Sequence, residues 1–396
     1  MQAWQHFEEH TVRPKIQECL FAIEDYFQTN KEQLADRFIE SFRQICNQIT
    51  KQQTAGQKGK IGYINYSMLR TEILAGSDHY LIDANDRRWY FDKQECQWSY
   101  DASWAFRFLE QAAQELDEAR KAYAGLITPP DIEQLLLREA KNINQYIVSL
   151  ARYAMPDAVK IEEFQKIEIE EEWEVRVGEY LDLNEVVYKL DRSKKEAEQI
   201  KAWFETKKGL DYAYEVYSHL DLSEGNYESI DLRYADLSGS NLSRSQLIRC
   251  ILVGTKWNHG SLVGTDFSNS LIYEADFRNC DLHEAIFREA KGANGLPRTM
   301  TWEMPGFDRV NFTGANLYGA DFSGADLRGA IFFGANLENV NFAGANLDHA
   351  VFAKTDRGKL VLDEKQRKSI IWKLDADSNE EAAHELFHAN TGPSKS

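Results

Sequence analysis

The chain lacks most of the features that announce an enzyme or a membrane protein. No apolar run reaches membrane-spanning length, and no basic stretch followed by an apolar one opens the N-terminus. Basic residues are in deficit: the net charge of −18 argues against nucleic-acid or anionic-membrane binding. Cysteine is scarce, with Cys19, Cys46, Cys96, Cys250 and Cys280 none of them in CxxC spacing. They read as reduced, buried thiols of a cytoplasmic protein. No glycine-rich phosphate loop, nucleophile elbow or kinase-like set is present. At 396 residues the chain can hold two or three domains with cores of their own.

What the sequence does have is a period of five between about Leu222 and Phe352. Bulky apolar residues hold one phase: Leu232, Leu237, Leu242, Leu247, Leu252, Trp257, Leu262, Phe267, Ile272, Phe277, Leu282 and Phe287. The phase resumes at Phe307 and runs through Phe312, Leu317, Phe322, Leu327, Phe332, Leu337, Phe342 and Leu347 to Phe352. Two residues before each sits a small side chain, such as Ala235, Ser240, Cys250, Thr255, Ala315 or Ala325, with Asp or Asn between in most copies. Neither helix nor strand repeats at five. The period fits a square coil in which each side turns one large and one small residue inward, coils stacking at about 4.8 Å.

This pattern resembles the pentapeptide-repeat family, and the resemblance implies a right-handed quadrilateral β-helix of about six coils. Phe and Leu alternate, so opposite sides of a coil carry like residues, Phe312 facing Phe322 and Leu317 facing Leu327. The alternation survives the irregular stretch after Phe287 only if roughly fifteen residues leave the coil. An extruded loop is therefore expected near 290–304, with Trp302 as its anchor to the core or to a partner. Beyond Phe352 the open end needs covering. Asp363 to Leu374 and a second helix from Asn379 to Ala389 are expected as a C-terminal helical cap, before a disordered tail.

Residues 1–210 read as an α+β domain of no recognised family, 211–356 as the β-helix, and 357–396 as cap and tail. Two helices are expected over 4–52, the second capped by Asn30. Strands follow at Ile61–Tyr66, Tyr80–Asp83 and Arg88–Phe91, the last two joined at Asp83 to Asp86 as a hairpin. Helices are expected from Ser103 to Tyr123 and from an N-capping Asp131 to Tyr153. Strands over Ile167–Tyr188 give a sheet in two parts, with the acidic run Glu168 to Glu174 as a solvated face. A charged helix, Ser193–Phe204, leads into the repeats.

Chemistry has few places to reside. His384-Glu385-Leu386-Phe387-His388 spells the HExxH zincin pattern, where His384 and His388 share a helix face and Glu385 acts as base. Such enzymes need a third ligand, usually downstream, and little chain remains, so a surface helix face is the plainer reading. His79 and Asp83 invite an iron-site reading that spacing alone does not support. No cofactor is otherwise called for. The aromatic cluster Tyr63, Tyr66, Tyr80, Trp89, Tyr90, Trp98, Tyr100 and Trp104 is mostly core by this reading. Its exposed members, with Arg87 and Arg88, form a candidate protein- or peptide-binding patch.

Three functions follow. The first is a non-enzymatic interaction module, because the repeat spends its inward positions on packing and offers no cleft. The second comes from the resemblance: some pentapeptide-repeat proteins protect bacterial DNA gyrase from antibiotics as rod-shaped dimeric DNA mimics. Six coils make a rod of about 29 Å, where duplex carries about 17 negative charges. Residues 222–356 carry roughly −6, which weakens that reading. The third is a metal-dependent enzyme using the terminal histidines or an unrecognised site in residues 1–210. A homodimer paired through the C-terminal helices remains open.

Overall fold

The chain folds as two units that part between Arg192 and Ser193. The computed structural model describes residues 2–294 and 308–374. In the first unit α1 (Gln2–Phe7), a five-residue π turn and α2 (Arg13–Thr54) run on without interruption, so one long helical run replaces the two expected. Asn30 does not cap a new helix: its Nδ2 donates to the Tyr26 carbonyl one turn back, 2.9 Å away, and the backbone stays helical. The apolar stripe from Ile16 through Phe27, Phe38 and Ile49 is continuous across it.

Next come β1 (Ile61–Met68), α3 (Arg70–Ala75), β2 (His79–Asn85), β3 (Gln97–Asp101), α4 (Ser103–Arg120), α5 (Pro129–Ala158), α6 (Glu162–Gln165), β4 (Ile169–Glu179) and β5 (Asn184–Asp191). The strands make one sheet rather than two parts, in the order β3-β2-β1-β4-β5, antiparallel except for the β1–β4 pair. The stretch Arg88–Phe91 is not a strand. Residues 89–91 form a single 3₁₀ turn, and the hairpin partner of β2 is β3. Helix α5 starts two residues before Asp131: both prolines occupy its first positions, where no N–H is needed, and the Asp131 carboxylate accepts from the Thr128 N–H and hydroxyl at 2.7 Å. It passes Tyr153 and ends at Ala158.

Alternation sorts the sheet into two faces. Ile64, Tyr66, Ile82, Val175 and Val177 are fully buried on the face against the helices, where Phe38 stacks on Tyr66 with ring centres 4.7 Å apart. Tyr63, Asn65, Asp83, Asn85, Glu174, Arg176 and Lys189 occupy the opposite face, aligned by cross-strand register.

In the second unit, α7 (Ala197–Glu205) sets Phe204 into the repeat core with Tyr212, Tyr217 and Tyr227, so this helix belongs to the solenoid. Each Asp/Asn-phase residue bridges the one twenty further on, as Asp221 to Asn241 to Ser261 to Asp281, so four five-residue sides close each coil. From Asp276 to Asn311 through Lys291 to Asp326 the step is 35, and it then returns to twenty. Phenylalanines occupy opposite sides as two columns. Phe277, Phe312, Phe332 and Phe352 stack at 4.8–5.0 Å. Phe267, Phe287, Phe322 and Phe342 stack at 4.7–5.4 Å. Where the phase demands a bulky residue the sequence has Gly292. A Cβ there would lie 2.6 Å from Val310 Cγ2 and 2.9 Å from Ile272 Cγ1, so those two side chains fill the missing one's place.

The small inward residues add a bond the period does not reveal. Ser240, Ser245, Thr255, Thr265 and Ser270 each donate a hydroxyl to a carbonyl of the preceding coil at 2.6–3.0 Å. Cys250 and Cys280 place Sγ likewise, at 3.1 and 3.0 Å. All five cysteines are free and buried. Outside, each side ends on a residue of positive φ (Gly254 +62°, Asn269 +60°), the left-handed corner that glycine adopts at least cost. At the far end β6 (Val351–Ala353), α8 (Glu364–Ser369) and β7 (Ile371–Lys373) follow. Where a lid helix over 363–374 is expected, a six-residue helix gives way to a strand pairing with β6. Gln366 Nε2 donates to the Phe342 and Ala345 carbonyls at 2.8 and 2.9 Å, and Leu362 and Ile370 join the core. The expected helix at 379–389, the tail, and most of the expected loop at 290–304 fall outside the described residues.

Two substitutions test this core in urea unfolding. Phe322→Ala, at a fully buried position in the stack, is expected to cost about 3–5 kcal/mol, against under about 0.5 for outward Ser268→Ala. Gly292→Leu restores the repeat consensus yet is expected to cost about 1–3 kcal/mol by overpacking. A stabilised Gly292→Leu protein would show that Val310 does not fill that place.

Candidate functional site

The aromatic cluster divides as a two-faced sheet requires. Tyr66, Tyr80, Tyr100 and Trp104 are buried in the core. Tyr63, Trp89 and Tyr90 are half-buried, with Tyr63 on the opposite face. There Trp89 is sandwiched, its ring centre 5.0 Å from Tyr63 and 5.0 Å from Tyr90. Arg176 Cζ lies 4.7 Å over the Trp89 ring. Tyr90 meets Tyr180 edge-on at 6.3 Å. Beyond these, Phe91, Leu181 and Leu183 are 84%, 61% and 80% exposed. The connection β2–β3 and the tip of the β4–β5 hairpin thus present an aromatic and aliphatic patch. Arg87 and Arg88 are exposed at its side, and Arg88 is tied to Asp86.

The backbone holds Trp89 at φ +57°, an uncommon conformation for a bulky residue, and the surroundings must enforce it. A buried ion pair does so. Lys58 Nζ reaches Asp92 Oδ2 at 2.7 Å, with side chains 1% and 2% exposed, and also donates to the Gln94 carbonyl. Asp92 further accepts from the Asp86 and Gln94 N–H groups, both at 2.9 Å. Burial alone pushes the Asp92 carboxyl up, but the hydrogen bonds from Lys58, Gln94 and Asp86 outweigh it and hold the group below the usual carboxylate range. Composition did not reveal Lys58 as a site residue, because its partner lies 34 positions on.

Beneath the stack the sheet face is polar. Glu174 accepts from Arg176 Nη1 at 3.0 Å and pairs with Lys189 at 3.2 Å, while Arg176 Nε donates to Asn184 at 2.7 Å. Asp83 Oδ2 accepts from Asn65 Nδ2 at 2.9 Å and from Asn85 Nδ2. His79 does not join Asp83; its Nδ1 contacts the Ser77 carbonyl. Among the described residues, no group of three or more His, Cys, Asp or Glu could hold a metal ion. His384, Glu385, His388 and Trp302 lie outside the described residues. No described helix is long and apolar enough to cross a membrane.

A second titratable group stands at the start of β2. Burial pushes Asp78 up to about 7, helped by the Glu110 carboxyl beside it and by Asp101, with His79 acting the other way. The raised value means that the folded chain keeps a proton the unfolded chain releases near 3.8. Stability should therefore fall as pH rises from about 4 to about 7. Asp78→Asn is expected to flatten that part of a melting-temperature profile; an unchanged slope would place the raised group elsewhere. For the loop, Lys58→Met leaves the buried Asp92 charge without its cation, an expected loss of about 3–5 kcal/mol; Lys58→Met/Asp92→Asn removes that charge yet keeps an oxygen for the Asp86 and Gln94 N–H groups, and is expected to recover part of it. Chemical denaturation of the two variants decides this.

Comparison with known proteins bears on the second unit. A family model described as pentapeptide repeats matches in eight copies over residues 228–256, 258–291, 307–332 and 330–357. Among solved structures, the chain is similar to full-length QnrB1, a plasmid-mediated fluoroquinolone resistance protein: 19% identity over 45% of this chain and 96% of that one, TM-score 0.21. It is also similar to HetL, a pentapeptide repeat protein involved in heterocyst differentiation regulation from the cyanobacterium Nostoc, at 20% identity over 40% and 94%, TM-score 0.13. A pentapeptide repeat protein of the Arabidopsis thaliana thylakoid lumen shares 18% identity over 42% and 77%, TM-score 0.10. Likeness of this order concerns the repeat fold and nothing beyond it. No curated protein matches the chain.

Proposed function

Because residues 228–357 are pentapeptide repeats, we propose that the chain is a protein-interaction module, a rigid solenoid joined to an α+β unit that binds a protein or peptide partner. In this reading 211–356 form a rod of about six coils with a loop extruded near 290–304, and 357–396 close it. The observation that carries the proposal is the patch in which Phe91, Tyr180, Leu181 and Leu183 stand open to water beside half-buried Trp89 and Tyr90, its β2–β3 part on a loop locked by a buried ion pair. Exposed aromatic and aliphatic groups on a preorganised backbone are what a binding hot spot requires. The repeat, by contrast, turns its bulky residues inward, where they are buried.

DNA mimicry toward gyrase is a second reading, favoured by one side of the coil. Its outward positions carry Asp221, Glu224, Asp281, Glu284 and Glu338 against Arg244 alone. That is far short of the roughly 17 charges on a duplex of similar length, so it ranks second.

Affinity capture with full-length wild type and a Phe91→Ser/Leu183→Ser variant tests the first reading. A defined partner retained by wild type is expected to be lost by at least about tenfold in the variant, whose melting temperature stays unchanged. Equal capture by both would remove the patch from the interface. A gyrase supercoiling assay with ciprofloxacin tests the second: protection by wild type that survives the patch variant would favour the solenoid as the binding surface.

A further inference from the structure

Two acceptors lie buried without a hydrogen-bond partner in neighbouring side chains of the polar sheet face, Asp83 Oδ1 and Asn65 Oδ1. Their residues are directly opposite across the β1–β2 ladder, and both side chains are buried, Asn65 2% and Asp83 7% exposed. Two bare oxygens in that position cost free energy on both sides. The other carboxyl oxygen, Oδ2, already accepts two N–H groups, from Asn65 and Asn85. With Oδ2 accepting both N–H groups, Oδ1 is the oxygen on which a proton can sit.

We infer that Asp83 is protonated in the folded protein and forms a two-bond ring with the Asn65 carboxamide: Asn65 Nδ2–H donates to Oδ2, and Asp83 Oδ1–H donates to Asn65 Oδ1. One proton then satisfies both orphan acceptors. Burial drives the Asp83 carboxyl up in the same sense, against the hydrogen bonds from Asn65 and Asn85 and the charge of Lys58. Lys58 is itself neutralised by Asp92. Tyr90 also faces the group; its Oη lies beside Trp89 Nε1 without hydrogen-bond geometry, and both atoms are buried. On β4, Arg176 is opposite Asn65 in register but is engaged by Glu174 and Asn184. Among the described residues, the cations named here are thus all committed to partners other than the ionised form of Asp83.

Ionising Asp83 sets two acceptors face to face and opens the ring. The strand that carries Asp83 leads directly into the loop bearing Trp89, Tyr90 and Phe91, so raising the pH through the Asp83 titration loosens that loop. The consequence for partner binding rests on the interaction reading above; the protonation itself does not.

The experiment is carbon-13 NMR of full-length protein labelled at the aspartate carboxyl carbon, in an Asp78→Asn background that removes the other raised aspartate. The resonance missing from Asp83→Asn identifies the group. Its shift is expected to be that of a neutral acid at pH 6 and to titrate above the ordinary aspartate range; a carboxylate shift at pH 6 would overturn the inference. Asp83→Asn can close an amide–amide ring with Asn65. Its melting temperature should lack the fall that wild type shows as pH rises from about 4 through the Asp83 titration, whereas Asp83→Ala melts lower throughout. If Asn and Ala behave alike, the ring is absent. Hydrogen exchange of the amides of 84–92, corrected for intrinsic base catalysis, should rise at least about tenfold across the Asp83 titration in wild type and stay flat in Asp83→Asn. A titrating Asp83 with flat exchange would retain the neutral acid and refute its control of the loop. Either result is independent of whether any partner binds.

Discussion

The constraint on which the repeat unit depends is the coil-to-coil hydrogen bond. Leu222 N donates to Asn241 O at 2.7 Å, Leu242 N to Ser261 O at 2.8 Å and Leu262 N to Asp281 O at 2.7 Å. A backbone tied to its neighbours above and below at every side cannot slip by one residue without turning each large side chain from inside to outside. The phase of five is thus a hydrogen-bonding requirement expressed in leucine and phenylalanine. The aromatic columns then reward it, since rings stacked near the coil spacing bury both faces. At Gly292, where the bulky residue is missing, Val310 and Ile272 fill the space.

This explains why the solenoid was readable from sequence and the first unit only in outline. A repeated local rule is printed many times, and any one exception is outvoted. In the first unit each decision is made once and often by a distant residue. Asn30 looks like a cap because caps and helix interiors differ only in where the side chain finds its acceptor. Arg88–Phe91 has strand composition, yet Asp86 accepts from the Arg88 N–H and guanidinium while Asp92 holds the Asp86 N–H, and the segment closes into a turn. That β1 pairs with β4 in parallel across four helices and two strands is a statement about the fold as a whole, which no window of sequence contains. The candidate patch was half legible: its aromatics and arginines announced themselves by density, whereas Lys58, Tyr180, Leu181 and Leu183 came from segments with no compositional signal.

The two units solve the problem of buried polarity differently. In the solenoid a Ser, Thr or Cys pointing inward spends its hydrogen on the carbonyl of the coil before, and alanine takes its place through most of the later coils where no bond is made. In the α+β unit, polar groups are gathered on one sheet face under an aromatic cover, where Glu174, Arg176 and Lys189 satisfy one another. A group so enclosed responds to its protonation state, and a loop resting on it responds in turn. Rigidity and responsiveness therefore sit in different parts of the same chain.

The 35-residue step in the ladder has a consequence for how such a chain tolerates change. Neighbours in space along the stack are ordinarily twenty positions apart in sequence, and here fifteen more come between them with the Phe277–Phe312 stack intact at 5.0 Å. Lengthening a closed segment from twenty to thirty-five residues costs only about 0.5 kcal/mol in chain entropy. A corner of this coil is therefore an inexpensive place for evolution to insert new material, provided that the returning chain re-enters in step.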